Sequence, residues 1–218
     1  MRIAVFGSTG GVGRHFVSQA LEKGMAVTAL VRSPGNLAGL SEGLTQVTGD
    51  VTNEEAVHHT VAGADAVVCA LGAPLLDKSG IRATGTASII RAMKAARVNR
   101  LICLSSIGAG DSYPLIPALY KYFLGPLMME RMFADHEAQE AEIAASGLDW
   151  IIARPGPYRD GDRTGTYAHG VTADVPDRKL KFHINRADVA DFLIRQLSDN
   201  TYLHKPAWLT SCLAHQTL

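Results

Sequence analysis

Met1-Arg2-Ile3-Ala4-Val5-Phe6-Gly7-Ser8-Thr9-Gly10-Gly11-Val12-Gly13-Arg14 opens the chain and decides how the rest is read. An apolar, partly β-branched run from Ile3 to Phe6 stops at Gly7, and the glycines then recur as Gly7-x-x-Gly10-x-x-Gly13 before a helical pattern begins. This is the order strand, tight turn, helix that cradles a dinucleotide. The three glycines serve different ends. Gly7 turns sharply off the strand, Gly10 lets backbone approach a pyrophosphate, and Gly13 lets the helix pack close to the sheet. The phosphates would rest on the free N–H groups of the helix that follows. The spacing is a variant, because the middle glycine of G-x-G-x-x-G would fall at Ser8 or Thr9. Taken alone, the turn could be an ordinary β-to-α loop; its place at the head of an alternating pattern favours the dinucleotide.

The chain has 218 residues, enough for one substantial core. We read it as a single NAD(P)-binding unit, 1–156 forming the core and 157–218 mostly a small lobe and a closing helix. With 21 basic and 21 acidic side chains the formal charge is zero, which argues against a nucleic-acid surface or a polybasic membrane anchor and for a small ligand. Cys69, Cys103 and Cys212 cannot all pair, and two lie in expected strands, so they read as reduced core thiols of a cytoplasmic protein. The apolar run before Gly7 is too short for a signal peptide, and no run approaches the ~20 residues of a membrane span.

Beyond the turn, Val12, Phe16 and Ala20 with Val17 and Leu21 make a helical stripe ending near Lys23-Gly24. Strands are expected over Met25–Val31, Leu44–Thr48, Ala66–Leu71, Leu101–Leu104 and Asp149–Ala153, with helices between them. Thr52 or Asn53 can cap a helix that carries Glu54 and Glu55 in its first turn, and a second helix runs through Ile89, Met93 and Ala96. Met128–Ser146 is a long helical pattern stopped by Gly147. Such alternation predicts an α/β fold with a doubly wound parallel sheet. The second strand ends in Arg32-Ser33, where a dinucleotide fold meets the adenosine ribose. An acidic residue there serves NAD; the guanidinium fork of Arg32 suits a 2′-phosphate, so NADP is favoured over NAD. Asp50 follows the third strand and reads equally as a turn residue. The carboxyl end of the fourth strand, at Gly72, lies near the cofactor crevice, and the fifth strand ends in Ser105-Ser106. Tyr113 to Met129, aromatic and broken by prolines, reads as a substrate-side loop, a protein-partner surface or an irregular segment on the core. Small strands are expected around Thr164–Ala173 and Leu180–His183, a helix over Arg186–Leu197 with Val189, Phe192 and Leu193 inward, and an edge strand at Trp208–Thr210.

The ordered set Gly7-Ser8-Thr9-Gly10-Gly11-Val12-Gly13, Leu30-Val31-Arg32-Ser33, Gly49-Asp50-Val51, Ala70-Leu71-Gly72, Ser105-Ser106, Ser146-Gly147-Leu148-Asp149, Arg154-Pro155-Gly156 and Thr164-Gly165 resembles the atypical short-chain dehydrogenase/reductase group. Within it the likeness is to NAD(P)H-binding, NmrA-like proteins near the flavin reductase/biliverdin-IXβ reductase branch. The resemblance implies a Rossmann-like fold with a small C-terminal substrate-side lobe. It also implies that Arg32 meets the 2′-phosphate, Asp50 and Val51 the adenine, Ala70 to Gly72 the ribose and phosphates, and Ser105, Ser106, Pro155 and Gly156 the nicotinamide end.

The wider superfamily uses Tyr-x-x-x-Lys, the lysine lowering the tyrosine pKa for proton exchange with a carbonyl or alcohol. Here the fourth residues after Tyr113, Tyr120, Tyr122, Tyr158, Tyr167 and Tyr202 are Pro117, Leu124, Pro126, Asp162, Val171 and Pro206. The branch's histidine after the sixth-strand proline is replaced by Tyr158 of Pro157-Tyr158, which argues against a tetrapyrrole substrate. Hydride transfer to a flavin, quinone or similar planar acceptor needs mainly alignment of donor and acceptor, with a proton from water. Ser106 is the candidate catalytic residue, placed to hydrogen-bond the acceptor or the nicotinamide amide. The alternative is a non-catalytic NADP-binding redox sensor, regulator or assembly factor. His58-His59, and His136 with Glu140, lack the further ligands of a metal site, so none is expected. No G-x-S-x-G elbow marks a hydrolase.

Overall fold

The computed structural model describes residues 1–33, 35, 37, 42–74, 77, 79–117, 126–174 and 182–212, with backbone alone for 126–129 and 174. Eight strands form one sheet in the order β3-β2-β1-β4-β5-β6-β10-β8. They are β1 (Arg2–Phe6), β2 (Ala26–Val31), β3 (Leu44–Thr48), β4 (Ala66–Cys69), β5 (Arg100–Leu104), β6 (Asp149–Pro155), β8 (Tyr167–Gly170) and β10 (Pro206–Ser211). Neighbours run parallel except β10 and β8, which are antiparallel. The order reverses between β1 and β4, the place where a doubly wound sheet leaves a crevice beyond its carboxyl ends.

The period-2 alternation of β1 sorts its side chains between two cores. Ile3 and Val5 face a layer made by α1 (Gly11–Glu22) and α5 (Arg186–Arg195), through Phe16, Val17, Ala20, Val189, Phe192 and Leu193. Ala4 and Phe6 face α2 (Glu54–Val61), α3 (Ile81–Ala96) and α4 (Pro126–Ala144), through Val57, Ile89, Met93 and Ile143. Burial of both faces is why these strands read as continuous apolar runs. Asn53 caps α2 by accepting from the Ala56 N–H at 3.1 Å, one of the two expected caps.

Ala70 and Leu71 lie just beyond β4, which stops at Cys69, and α4 starts and ends two residues before the expected span. The expected edge strand at Trp208–Thr210 is a correction. It lies inside the sheet, hydrogen-bonded to β6 on one side and to β8 on the other. Ala207, Trp208, Leu209 and Thr210 are all buried, and α5 returns the chain so that β10 can run parallel to β6. Of the segment expected to make a small lobe, β7 (Tyr158–Arg159) and β9 (Ile184–Asn185) pair as a separate two-stranded sheet, while β8 and β10 extend the central one. Leu180 and Lys181 of one expected strand lie outside the described residues, and Phe182 and His183 are not in a strand. Tyr120, Tyr122 and Phe123 also lie outside them.

Buried polar side chains tie this last third to the sheet. Asp188 accepts from the Thr164 and Gly165 N–H groups at 2.7 and 2.9 Å, and Gln19 of α1 donates to the Ala187 carbonyl at 2.9 Å. The turn after β1 is the tightest point. Gly7 has φ +79°, and a Cβ there would land on the Ala70 carbonyl; a Cβ on Gly13 would land on the Gly7 carbonyl. Gly13→Ala is therefore expected to lose about 1–3 kcal/mol of stability through overpacking, lowering the melting temperature by several degrees. Gly72→Ala, with nothing within 4 Å of the added carbon, should stay within about 0.5 kcal/mol of the parent protein in the same thermal scan.

Candidate functional site

A cleft of about 930 Å³ opens where the strand order reverses. Gly7, Thr9, Gly10, Gly11, Val12 and Gly13 line one wall. Gly10 is the N-cap of α1, no side chain caps that helix, and its first turn holds no acid. The first N–H groups of α1 thus face the cleft with no side-chain acceptor, which is the electrostatic setting of an anion site. Ser8 does something else: it is fully buried, and its hydroxyl donates to the Leu30 carbonyl at 3.2 Å, pinning the turn to the end of β2.

Arg32 projects from the end of β2 onto the cleft, exposed and without an ion-pair partner among the described residues. Ser33 is exposed and does not line it. Asp50 and Val51 form the next stretch of wall. Asp50 accepts from the Thr52 N–H and hydroxyl at 3.0 and 2.9 Å, so its carboxylate holds the turn while the residue borders the cleft. Val51 is buried against Gly85 of α3, where a Cβ would come within 2.9 Å of it. Ala70, Leu71 and Gly72 continue the wall from the end of β4. Pro155 and Gly156 are not part of it: the Pro155 carbonyl accepts from the Ile107 N–H and the Gly156 N–H donates to the Leu209 carbonyl, both at 3.0 Å. They join β6 to its neighbours.

The far end is built by the tip of β5 and by α4. Ser105, Ser106, Met132, His136, Arg82 and Tyr158 line it. The Ser106 hydroxyl donates to the Ile107 carbonyl at 3.1 Å, so toward the cleft this oxygen presents lone pairs. The Ser105 hydroxyl donates to Glu140 Oε1 at 2.6 Å and lies 3.4 Å from His136 Nδ1. Arg154 grips Glu140 with Nε at 2.9 Å and Nη2 at 2.6 Å, and pairs through Nη1 with Asp111. Burial works against the Arg154 charge, but the bonds from Glu140 and Asp111 outweigh it and hold the guanidinium charged more firmly than in water. Burial, helped by the nearby Arg82 charge, lowers the His136 pKa to about 4. This imidazole is neutral at neutral pH. Gln139 Oε1 sits 3.3 Å from Nδ1 and can only accept, which favours the tautomer with the proton on Nδ1 and a bare Nε2.

A family model described as NAD(P)H-binding matches residues 7–200, a span that contains every wall of the cleft. The chain belongs to the NAD(P)H-binding family. The photosystem II assembly factor Ycf39 of Synechocystis is 35% identical over 214 residues, covering 94% of this chain and 61% of its own length. The chloroplastic protein TIC 62 of Pisum sativum is 26% identical over 215 residues, covering 88% of this chain and 39% of its own length. The chain therefore spans between about two-fifths and three-fifths of these two relatives. Among solved structures, a putative NAD-dependent epimerase/dehydratase from Bacillus halodurans superposes with a TM-score of 0.79 at 26% identity, covering 97% of this chain and 94% of its own. ChuY, an anaerobilin reductase from Escherichia coli O157:H7, shares the fold with a TM-score of 0.80 at 22% identity and 97% coverage of both chains. These likenesses fit the atypical short-chain dehydrogenase/reductase group.

In the sequence His136 and Glu140 read only as possible metal ligands; the fold brings both to Ser105. The signal that could have found it was the four-residue spacing, which puts both on one face of α4. Arg82, Arg154 and Arg186 gave no comparable signal, because what each meets comes from distant parts of the chain. The depressed pKa of His136 has a thermodynamic consequence. The unfolded chain protonates this histidine below about pH 6.5 while the folded one resists down to about 4, so stability present above that window is lost as the pH falls through it. The loss attributable to His136 should approach about 3 kcal/mol, and His136→Gln should flatten that part of the pH dependence in denaturant unfolding measured from pH 7 to 4.5.

Proposed function

We propose that this protein is an NADPH-dependent oxidoreductase that delivers hydride to a flavin, quinone or similar planar acceptor. The observation that carries the reading is the division of one cleft into a helix N-terminus and an arginine with no ion-pair partner among the described residues at one end and, at the other, a hydrogen-bonded floor in which His136 is uncharged. The residues present fit a nicotinamide dinucleotide. The N-terminus of α1 has no acceptor of its own, and Gly72 lines the cleft with open space where a Cβ would stand. Arg32 supplies a forked cation where the adenosine ribose of such a cofactor rests, which supports NADPH over NADH.

Reduced nicotinamide, when bound, supplies a hydride. The chain's own part is alignment and electrostatics. Ser106 Oγ, its proton directed to the Ile107 carbonyl, is suited to accept an N–H bond from a carboxamide. Ser105 is held by Glu140, which Arg154 anchors to the sheet, so the strand end that would meet the nicotinamide is fixed. His136 Nε2 and the exposed Tyr158 ring edge the space left for an acceptor, Tyr158 offering a flat apolar face. The absence of a Tyr-x-x-x-Lys pair removes the usual acid–base couple for alcohols and ketones, which is why an acceptor that takes hydride without prior protonation is favoured.

A second reading is favoured by the 35% identity to a photosystem II assembly factor: an NADP-binding regulator or assembly factor that senses the cofactor without consuming it. Mixing the purified protein with NADPH and a panel of flavins and quinones separates the two. Loss of the reduced-nicotinamide absorbance with at least one acceptor supports the reductase; tight NADPH binding without turnover on any acceptor supports the regulator. In the same assays Arg32→Ala should weaken NADPH by roughly tenfold or more and NADH hardly at all. An equal effect on both cofactors would sink the 2′-phosphate assignment. Ser106→Ala should lower turnover with little change in NADPH affinity for the adenosine end.

A further inference from the structure

Gly11 is the one glycine of the opening turn without a part in the dinucleotide pattern, and the structure shows what it makes room for. A Cβ on Gly11 would come within 2.6 Å of both Cδ and Nε of Arg186, the first residue of α5. Gly11 is not at positive φ, and glycine inside a helix costs about 1 kcal/mol relative to alanine, so local backbone does not call for it. Its lack of a side chain lets the Arg186 stem lie across the first turn of α1.

That placement is electrostatically unfavourable on its own. A guanidinium stands against the uncapped, acid-free N-terminus of α1, positive against positive. Its counter-charge is Asp160, at 2.6 Å, but the Asp160 side chain is 89% exposed and such a pair is weak in water. The Arg186 guanidinium also lies 5.3 Å from the centre of the Tyr158 ring, and both residues line the cleft. Two sources of positive potential thus converge on one point of the wall, separate in the chain from the other arginines that line the cleft, Arg32 and Arg82.

We propose that Arg186 is a ligand of the cofactor's diphosphate, bridging it to the N-terminus of α1, and that Asp160 is the carboxylate it leaves when the diphosphate binds. This rests on the nicotinamide-dinucleotide reading of the cleft. A planar fork that donates two bonds suits a diphosphate oxygen pair better than a point charge does. The contact also sets Tyr158, whose ring the same guanidinium approaches, beside the cofactor.

Calorimetric titration of the full chain with NADPH, NADH and adenosine 2′-monophosphate tests it. Arg186→Ala should weaken NADPH and NADH by the same factor, roughly tenfold or more, and leave adenosine 2′-monophosphate unchanged. Asp160→Asn, which frees the guanidinium, should tighten both dinucleotides. Gly11→Ala should weaken both while keeping or raising thermal stability, and should cost nothing further in the Arg186→Ala background, where the atoms it would strike are gone. Unaltered dinucleotide binding by Arg186→Ala, a loss confined to NADPH, or weaker binding by Asp160→Asn would each overturn the assignment while leaving the cofactor reading in place. If the parent protein binds neither dinucleotide, the cofactor reading falls and this assignment with it.

Discussion

The close approach of β1, β4 and the start of α1 is the constraint on which the rest of the structure depends. Gly7 presses on the Ala70 carbonyl and Gly13 on the Gly7 carbonyl, so neither position has room for a side chain. That contact sets how near α1 lies to the sheet, hence how Phe16 and Val17 fill one core, and it aims the uncapped end of α1 at the crevice between β1 and β4. Ser8 locks the same turn by a buried hydrogen bond to β2. Packing and the shape of the cleft wall are therefore set by the same few atoms.

The opposite end of the cleft is held by a different kind of force. Arg154, nearly inaccessible, joins β6 to α4 through Glu140 and to the segment after β5 through Asp111. A buried pair of this sort contributes little net stability compared with an apolar contact, yet losing one partner costs about 3–5 kcal/mol because the other charge is stranded. Its structural value is in fixing position: Glu140 holds Ser105, and α4 also delivers His136 to the floor. The same helix supplies Asp135, which pairs with Arg82 at 3.1 Å on the adjoining wall. The floor of the cleft is consequently rigid, polar and, at His136, uncharged.

A chain with no net charge still concentrates positive potential in one cleft. Arg32, the α1 N-terminus and Arg186 border it, while many of the acidic side chains are spent in pairs or turns such as Asp50 with Thr52 and Asp199 with Thr201. Local arrangement, rather than overall composition, gives the cleft its preference for a phosphate-bearing ligand.

Much of the sheet was legible from the chain because the signals are local. Apolar and β-branched residues mark β1 to β6, and the glycine spacing marks the turn that opens onto the cleft. The place of Arg32 on the cleft wall is legible for the same reason, since it immediately follows β2. The rest depended on residues far apart in sequence. Trp208–Thr210 reads as a short edge strand in the sequence, but α5 brings it between β6 and β8, 37 residues from the Val171 hydrogen-bond partner of Trp208. Pro155 and Gly156 sit at the end of β6 as expected and hydrogen-bond to Ile107, beyond β5, and to Leu209 of β10 rather than lining the cleft. His136, Glu140, Arg154 and Arg186 acquire their roles only where helices from the second half of the chain meet the strand ends and the first turn. The sequence by itself determined the alternation of strands and helices and the glycine turn that opens onto the cleft, because hydrophobic period and glycine geometry are properties of adjacent residues. The tertiary structure alone decided the floor of the cleft and the placement of Arg186, because burial and charge pairing arise between residues that the chain separates and the fold brings together.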